Sequence, residues 1–214
     1  MDTPETAATL ARFRALDTAT LYESGAHGTM GPEIRMLSGD SRLVGPALTV
    51  TCPSGDNLMI HVAVAQAQPG TVLVAQCHNP GYGVWGEVLT VAAMARGIAG
   101  LVLDGSVRDL GAIRRMSFPV FARGTALPGT AKCGRGTIGA AASCGGTLVA
   151  SGDIIVADES GVVIIQAEAA QSVLARAEER CRKEAAIMDE LRGGRTTIEL
   201  LGLDDKSAGI SASI

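Results

Sequence analysis

The sequence of 214 residues predicts an α/β fold that ends in a long helix. Between residues 43 and 103, β-rich runs alternate with apolar helical patterns, which is the order expected of βαβ units. Aromatic residues make up 3% of the chain and glycines number 27, a composition that suits tightly packed sheets with close turns. With 47% hydrophobic and 19% charged residues the chain can bury a sizeable core, which argues against global disorder.

The first 40 residues are predicted to form an N-terminal helical segment (1–40). Two short helical patterns cover residues 5–16 and 17–24, and Gly25 supplies the stop that glycine often gives at a helix C terminus. The following core domain, residues 41–166, is expected to carry the functional site.

The core domain opens with a β-rich segment that predicts a strand over residues 43–52. An apolar helical pattern begins at Leu58, and the turn Pro69-Gly70 leads into a strand over residues 71–76. The order of strand, helix and strand predicts a first βαβ-like unit.

The most informative stretch is residues 77–110, which predicts a loop, a helix and a strand that ends in polar residues. A Gly- and Pro-rich loop (79–86) precedes a helix of about 86–96, and a strand of about 98–103 follows. The chain leaves this strand through residues 104–109, DGSVRD. Polar groups at the carboxyl end of such a strand commonly hold ligands in α/β proteins.

The rest of the core domain is predicted to contain short strands and one long loop. A strand is expected at 119–121, and the turn-rich loop 123–136 either covers a site or contacts a partner. Residues 147–166 contain short strands broken by turns, which favours a compact antiparallel unit.

Residues 167–203 form the predicted C-terminal segment, with a helix over about 167–192. Its apolar residues recur at three- and four-residue spacing and define one stripe along the helix. A long helix with one apolar stripe needs a partner, which is either its own domain or a neighbouring subunit. The pattern leaves both open.

Charge and hydropathy exclude several partners and locations. The net charge of −4 and the scattered arginines argue against nucleic acid, because phosphate binding needs a concentrated basic face. No run approaches the roughly 20 apolar residues that span a bilayer. The N terminus shows no cationic, apolar leader, so we expect a cytoplasmic protein without membrane contact. Five cysteines without a CxxC pair are expected to be buried free thiols.

Four stretches of the sequence carry a family resemblance. They are GDNLMIHVAVAQAQPGTVLV (55–74), GYGVWGEVLTVAAMARGIAGLVLDGSVRD (81–109), LPGTAK (127–132) and SGDIIVADESGVVII (151–165). Through them the chain resembles the RraA-like family, and within it the 4-hydroxy-4-methyl-2-oxoglutarate/4-carboxy-4-hydroxy-2-oxoadipate aldolases. The resemblance implies a swivelling-type β/β/α sandwich that assembles as a homotrimer or homohexamer.

The resemblance also implies a metal site next to a site for a small 2-oxo acid. Asp109 would be the single protein ligand of a divalent cation, Mg²⁺ or Mn²⁺. Arg108 would bind the pyruvate part of the substrate and stabilise its enolate oxygen. Glu87 would order a water molecule at the metal.

Two further parts of the site follow from the same resemblance. Backbone amides at the start of the central helix, at Gly86, Glu87, Val88 and Leu89, would hold the substrate carboxylate. In the family, an acidic residue from the C-terminal helix of a neighbouring subunit completes the site, and Glu184 is its predicted counterpart here.

The residue chemistry independently favours a metal over a lysine as the group that stabilises an enolate. The three lysines are Lys132 in the long loop and Lys183 and Lys206 in polar C-terminal segments, and none lies in an apolar sequence context that would lower its pKa. Mg²⁺ keeps several waters and takes one or two carboxylates, so Asp109 alone suffices. The adjacent Arg108 offers a planar fork for carboxylate or enolate oxygens.

Each of these residues also has an ordinary structural explanation. Arg108 and Asp109 could form a turn salt bridge, and Glu87 could interact with the helix macrodipole. His61 is expected to be a satisfied core histidine, and Asp104 is interpreted as a turn residue.

Three functions therefore stay open. The first is a metal-dependent class II aldolase that cleaves a 4-hydroxy-2-oxo dicarboxylic acid to pyruvate, with oxaloacetate decarboxylase activity through the same enolate. The second is an RraA-type protein-binding regulator of ribonuclease activity. Such family members lack the aspartate after the arginine, so the presence of Asp109 favours catalysis. The third is a ring-forming scaffold. Residues 137–143 are smaller and more apolar than is usual in the family, which leaves the substrate identity open.

Overall fold

The structure, a computed structural model, describes residues 4–39, 42–77 and 79–203. The α-helices are α1 (Pro4–Phe13), α2 (Thr18–Glu23), α3 (Leu58–Gln66), α4 (Glu87–Ala95), α5 (Leu110–Arg115), α6 (Ala170–Arg192) and α7 (Thr197–Leu200). The strands are β1 (Gly28–Thr29), β2 (Arg35–Ser38), β3 (Leu43–Cys52), β4 (Val72–Cys77), β5 (Gly83–Trp85), β6 (Gly100–Val107), β7 (Val120–Thr125), β8 (Thr137–Ile138), β9 (Ala142–Cys144), β10 (Thr147–Val149), β11 (Ile154–Asp158) and β12 (Gly161–Ile165). None of the helices described is both long and apolar enough to cross a membrane.

Four parallel strands form the centre of the large sheet. The sheet runs in the order β1-β12-β11-β3-β4-β6-β7-β2, with β5 beside β6 and β8 beside β3. Strands β3, β4, β6 and β7 are parallel, and α3, α4 and α5 lie in the connections between them. The carboxyl ends of these strands therefore lie at one edge of the sheet, where the connections can form a ligand site.

Strand β3 belongs to two layers of the molecule. Its residues 43–46 pair with β11, whereas residues 47–52 pair with β4. The inner faces of β11 and β12 pack against the parallel strands in one hydrophobic cluster, which includes Val102, Phe121, Ile155 and Ile164. A long strand shared between two packed layers gives a β/β sandwich.

Helices cover the two outer faces of this sandwich. Helices α3, α4 and α5 bury Ile60, Leu89 and Ile113 against the parallel strands. On the opposite side, α1, α2 and α6 pack on β11 and β12 around Phe13 and Leu174. The predicted α/β fold, a β/β/α sandwich with a long C-terminal helix, is confirmed.

The local patterns located several elements closely. Strand β3 covers the predicted residues 43–52, and α4 starts and ends within one residue of the predicted helix. Gly25 ends the second helix region with a φ of 93°, the left-handed conformation that glycine adopts readily. Of the five cysteines, Cys52, Cys77 and Cys144 are buried as expected, whereas Cys133 is exposed and Cys181 is intermediate.

Two regions differ from the sequence prediction. In the segment 1–40 the second half holds strands rather than helix, because β1 pairs with β12 and β2 pairs with β7. The strand predicted at 98–103 continues to Val107, since its distal half pairs with β5 and β7. Asp104 is therefore a strand residue and not a turn residue. Its carboxylate accepts hydrogen bonds from Arg123 Nε and from the backbone nitrogen of Gly145.

Candidate active site

A cleft of about 190 Å³ lies at the carboxyl edge of the parallel strands. Four chain segments line it, namely the start of α3, the junction of β5 with α4, the junction of β6 with α5, and the loop that precedes β8. Their lining residues are Asn57, His61, Gly83, Val84, Trp85, Gly86, Val88, Leu89, Arg108, Asp109, Thr130 and Lys132. Pockets for drug-sized ligands typically measure about 300–1,000 Å³, so this smaller cleft suits a small metabolite.

Asp109 follows β6 and occupies the N-cap position of α5. Its backbone adopts φ 57° and ψ 31°, a left-handed conformation that aspartate tolerates better than most residues. Its Oδ2 atom lies 3.7 Å from Arg108 Nε, and the backbone nitrogen of Glu87 donates a hydrogen bond of 3.2 Å to the same oxygen. The side chains of Arg108 and Asp109 are 47% and 44% exposed, so both remain available to a ligand.

Trp85 fixes the loop that carries the start of α4. The indole is fully buried, stacks on Phe118 with 6.0 Å between ring centroids, and donates from Nε1 to Thr90 Oγ1 at 2.7 Å. Its backbone oxygen accepts a 2.8 Å hydrogen bond from the Arg108 nitrogen. The end of β6 and the start of α4 are therefore held against each other.

The start of α4 supplies backbone donors to the cleft. The first amides of an α-helix have no partner within the helix, and the helix dipole favours an anion there. The Glu87 amide is already bound to Asp109, whereas Val88 and Leu89 line the cleft directly. The Glu87 side chain is exposed and is not among the residues that line the cleft.

Asp56 attaches the long loop to the start of α3. Its Oδ2 atom accepts hydrogen bonds from the backbone nitrogens of Cys133 at 2.7 Å and Gly134 at 2.9 Å. Its Oδ1 atom accepts one from the Leu58 nitrogen at 2.8 Å. Burial raises the pKa of Asp56, but these hydrogen bonds outweigh it and hold the pKa below its ordinary value. The loop is therefore an ordered wall of the cleft.

Seven residues of the cleft were not predicted as site residues from the sequence, and four of them have polar side chains, namely Asn57, His61, Thr130 and Lys132. The prediction that His61 is a core histidine is wrong, because its side chain is part-exposed and lines the cleft. Burial and the positive charge of Lys132 lower the pKa of His61, so its ring is neutral near pH 7. The four-residue spacing of Asn57 and His61, which places both on one helix face, was the available signal.

The donor set of the cleft suits a hydrated, hard cation. No group of three or more His, Cys, Asp or Glu side chains in residues 4–39, 42–77 and 79–203 is arranged to hold a metal ion, so a closed zinc-type cage is absent there. Asp109 instead offers a half-exposed carboxylate, with Oδ2 partly occupied by the Glu87 amide. One carboxylate fits Mg²⁺ or Mn²⁺, which keep water or substrate oxygens in their other positions.

Known proteins match both the sequence and the fold. The family model of the RraA-like proteins, described as Aldolase/RraA, matches residues 16–164. The chain belongs to the RraA-like family. A relative from Halalkalibacterium halodurans, named "Putative 4-hydroxy-4-methyl-2-oxoglutarate aldolase", is 33% identical over 196 residues, which cover 89% of this chain and 93% of the relative.

Solved structures extend the likeness of this RraA-like chain. An uncharacterized protein from Pseudomonas syringae pv. tomato is 28% identical, with a TM-score of 0.81 over 91% of this chain and 92% of its own. The RNA-processing inhibitor RraA from Thermus thermophilis has a TM-score of 0.61 over 65% of this chain and 85% of its own. At 24% identity, the inhibitor shares the RraA-like fold alone.

Glu184 lies on α6 of this RraA-like chain, away from the residues that line the cleft. Its Oε1 atom is 2.7 Å from Arg180 Nε in a part-exposed i,i+4 ion pair. The predicted role of Glu184 refers to the site of a neighbouring subunit, so it stays a prediction.

Proposed function

We propose that this RraA-like protein is a divalent-metal-dependent lyase that cleaves a 4-hydroxy-2-oxo dicarboxylic acid and releases pyruvate. The supporting observation is that Asp109, Arg108 and the start of α4 line one small cleft. Together they offer a carboxylate for a cation, a guanidinium for an oxyanion and backbone donors for a carboxylate. The name of the Halalkalibacterium halodurans relative describes the same reaction.

The chain would bind the 2-oxo acid end of the substrate through two groups. The amides at the start of α4, at Val88 and Leu89, would donate to the carboxylate. Arg108 would donate to the neighbouring 2-oxo oxygen, where negative charge develops as the bond breaks. Asp109 would hold Mg²⁺ or Mn²⁺, which supplies Lewis acidity to the 2-oxo group when bound.

The reaction requires one bond to break and two protons to move. The C3–C4 bond breaks, its electron pair forms the enolate of pyruvate, and the C4 hydroxyl loses its proton as the new carbonyl forms. A proton then adds to C3 of the enolate and gives pyruvate. Glu87 lies between Gly86 and Val88, two residues that line the cleft, and its exposed side chain would reach over the rim to order the water that exchanges these protons. Decarboxylation of oxaloacetate passes through the same enolate, so the cleft would support both reactions.

A second copy of the chain is the expected partner. Val88, Val91 and Met94 are exposed on the outer face of α4, and Met188 is exposed on the second half of α6. Apolar surface of this kind is typical of a subunit interface. We propose a homotrimer or homohexamer in which Glu184 of one subunit reaches the cleft of the next. The molecular mass of the protein in solution tests this assembly.

Release of pyruvate from 4-hydroxy-4-methyl-2-oxoglutarate, measured with and without EDTA, tests the proposed function. We expect turnover that EDTA abolishes and that added Mg²⁺ or Mn²⁺ restores. A protein that binds a ribonuclease and releases no pyruvate under any metal condition would instead be an RraA-type regulator. The presence of Asp109 beside Arg108 in the cleft favours the lyase.

A further inference from the structure

We propose that Asn57, His61 and Lys132 form a second binding wall, which takes the C4 hydroxyl and the far carboxylate of the substrate. The inference rests on the proposed function and deepens it, because it assigns the preference for dicarboxylic acids to particular side chains. Arg108 and Asp109 come from the end of β6, whereas the second wall comes from α3 and the long loop. The two walls would hold the two ends of one substrate.

Asn57 presents a buried acceptor that lacks a partner. The residue is 5% exposed, and its Nδ2 atom donates a 2.8 Å hydrogen bond to the backbone oxygen of Val84. That bond fixes the orientation of the amide, since a carbonyl oxygen accepts only from the NH₂ side. The Oδ1 atom is left without a hydrogen-bond partner among the described residues, although the residue lines the cleft. A substrate hydroxyl bound at this end of the cleft would supply the missing donor.

His61 and Lys132 give the second wall the chemistry of a carboxylate site. His61 and Lys132 both line the cleft, and after burial the positive charge of Lys132 is the second cause that lowers the pKa of the imidazole. Neutral imidazole offers one N–H donor, and the ammonium group offers three and a positive charge. The cleft thus holds two cationic side chains, Arg108 and Lys132, one more than a monocarboxylic acid would use.

The loop that carries Lys132 is held in place by hydrogen bonds on both sides of that residue. The Ala131 nitrogen donates to the Gly55 oxygen at 2.9 Å, and the Asn57 nitrogen donates to the Ala131 oxygen at 3.2 Å. Asp56 accepts from the backbone of the two residues that follow Lys132. Lys132 therefore projects from a fixed backbone, which is a requirement for a side chain that selects between substrates.

Two substrates that differ in the far carboxylate test the inference. The first is 4-hydroxy-4-methyl-2-oxoglutarate, and the second is 4-hydroxy-2-oxopentanoate, which keeps the 2-oxo acid and the hydroxyl. Exchange of the C3 protons of pyruvate with deuterium reports on the first wall alone, which consists of Arg108, Asp109 and the start of α4. We expect Lys132→Met to lower kcat/KM for the dicarboxylate about 10-fold or more, the factor for one charge-assisted hydrogen bond. Cleavage of the monocarboxylate and proton exchange should fall much less, because neither involves a far carboxylate.

Arg135→Met is the matched control, because Arg135 is an exposed cation on the same loop and does not line the cleft. Arg135→Met also removes one positive charge, so a fall in kcat/KM caused by the overall electrostatic potential of the protein would be the same in both variants. His61 is part-exposed, and His61→Gln keeps an N–H donor. This variant should therefore lower kcat/KM for the dicarboxylate less than Lys132→Met does. Asn57→Ala, with its fold checked by circular dichroism, should slow cleavage of both hydroxy acids. Oxaloacetate lacks the C4 hydroxyl, so its decarboxylation should fall less than the cleavage of either hydroxy acid.

Equal losses on the two hydroxy acids in Lys132→Met, or equal effects of Lys132→Met and Arg135→Met, would overturn the inference alone. Trapping of pyruvate on the protein by borohydride, lost in Lys132→Met, would assign a Schiff base to Lys132 and also overturn it. If the unchanged protein showed neither cleavage nor proton exchange, the proposed function would fall and the inference with it. The inference would be supported if the preference for the dicarboxylate disappeared only in variants of the second wall.

Discussion

Gly86 and Asp109 lie so close that a side chain at position 86 would displace the Asp109 carboxylate. A Cβ atom placed on Gly86 would lie 2.6 Å from Asp109 Oδ2 and 3.1 Å from Arg108 Cγ. The φ of Gly86 is −158°, an extended conformation open to any residue, so the requirement is one of space and not of backbone freedom. The glycine allows the Glu87 amide to reach the carboxylate.

Gly86→Ala is therefore expected to displace the Asp109 carboxylate and to lower turnover about 100-fold, as expected when a catalytic group moves by about 1 Å. Gly124→Ala is the control, because a Cβ atom at Gly124 in β7 would have no neighbour within 4 Å. Pyruvate release and Mn²⁺ affinity measure the effect. Wild-type turnover in Gly86→Ala would contradict the proposed position of the metal ligand.

Asp109→Asn tests the negative charge of the Asp109 carboxylate, because asparagine keeps the shape of the side chain. The side chain is 44% exposed and its ion pair with Arg108 is long, so the pair contributes little to folding. We expect the thermal midpoint to change little, whereas Mn²⁺ binding and metal-dependent pyruvate release are lost. Electron paramagnetic resonance would measure Mn²⁺ binding, and a turnover assay would measure pyruvate release, so the loss of binding and the loss of catalysis can be separated. Full activity in this variant would rule out Asp109 as the ligand.

Arg108→Ala tests the proposed stabilisation of the enolate oxygen. Because this interaction strengthens as charge develops, its loss should lower kcat by more than about 100-fold, in the range found when one oxyanion donor is removed. A steady-state comparison of kcat and KM measures it. A change confined to KM would show that Arg108 only binds the substrate in its ground state.

The parts of the site that lie next to each other in the sequence were the parts that could be predicted from it. The strand-to-polar transition at residues 104–109 and the start of α4 are local patterns that indicated a ligand site. The family resemblance then assigned Arg108, Asp109 and the helix amides to it. The structure brings these groups into one cleft, as the parallel order of the strands requires.

The contribution of Lys132 to the second wall and the positions of the short strands could not be predicted, because they depend on contacts between distant residues. Lys132 reaches the cleft because the loop backbone is bound by residues far earlier in the chain, namely Gly55, Asp56 and Asn57. Strands β1 and β2 contain two and four residues, too few for an alternating pattern, and exist through pairing with β12 and β7. Periodicity in a sequence carries no information about such pairings.

Asp158 offers a test of stability that is separate from the cleft. The carboxylate is 7% exposed, and it accepts hydrogen bonds from the Thr18 nitrogen at 3.0 Å, from Thr18 Oγ1 at 2.8 Å and from the Ser160 nitrogen at 2.8 Å. Burial raises the pKa of Asp158, but the hydrogen bonds outweigh it and lower the pKa below its ordinary value. The charged form is thus favoured more in the folded state than in the unfolded state.

Asp158→Asn should lower the free energy of unfolding at pH 7 by roughly 1–3 kcal/mol, because donors that now bind a carboxylate would face an amide. A depressed pKa stabilises the fold above the unfolded-state pKa, about 3.9 for aspartate, and the stabilisation is lost as the pH falls through the folded-state value. The difference between the two proteins should therefore shrink below about pH 4. Urea unfolding across that range measures it, with Glu159→Gln, an exposed neighbour, as the control. A difference that is independent of pH would show that Asp158 acts through its shape and not through its charge.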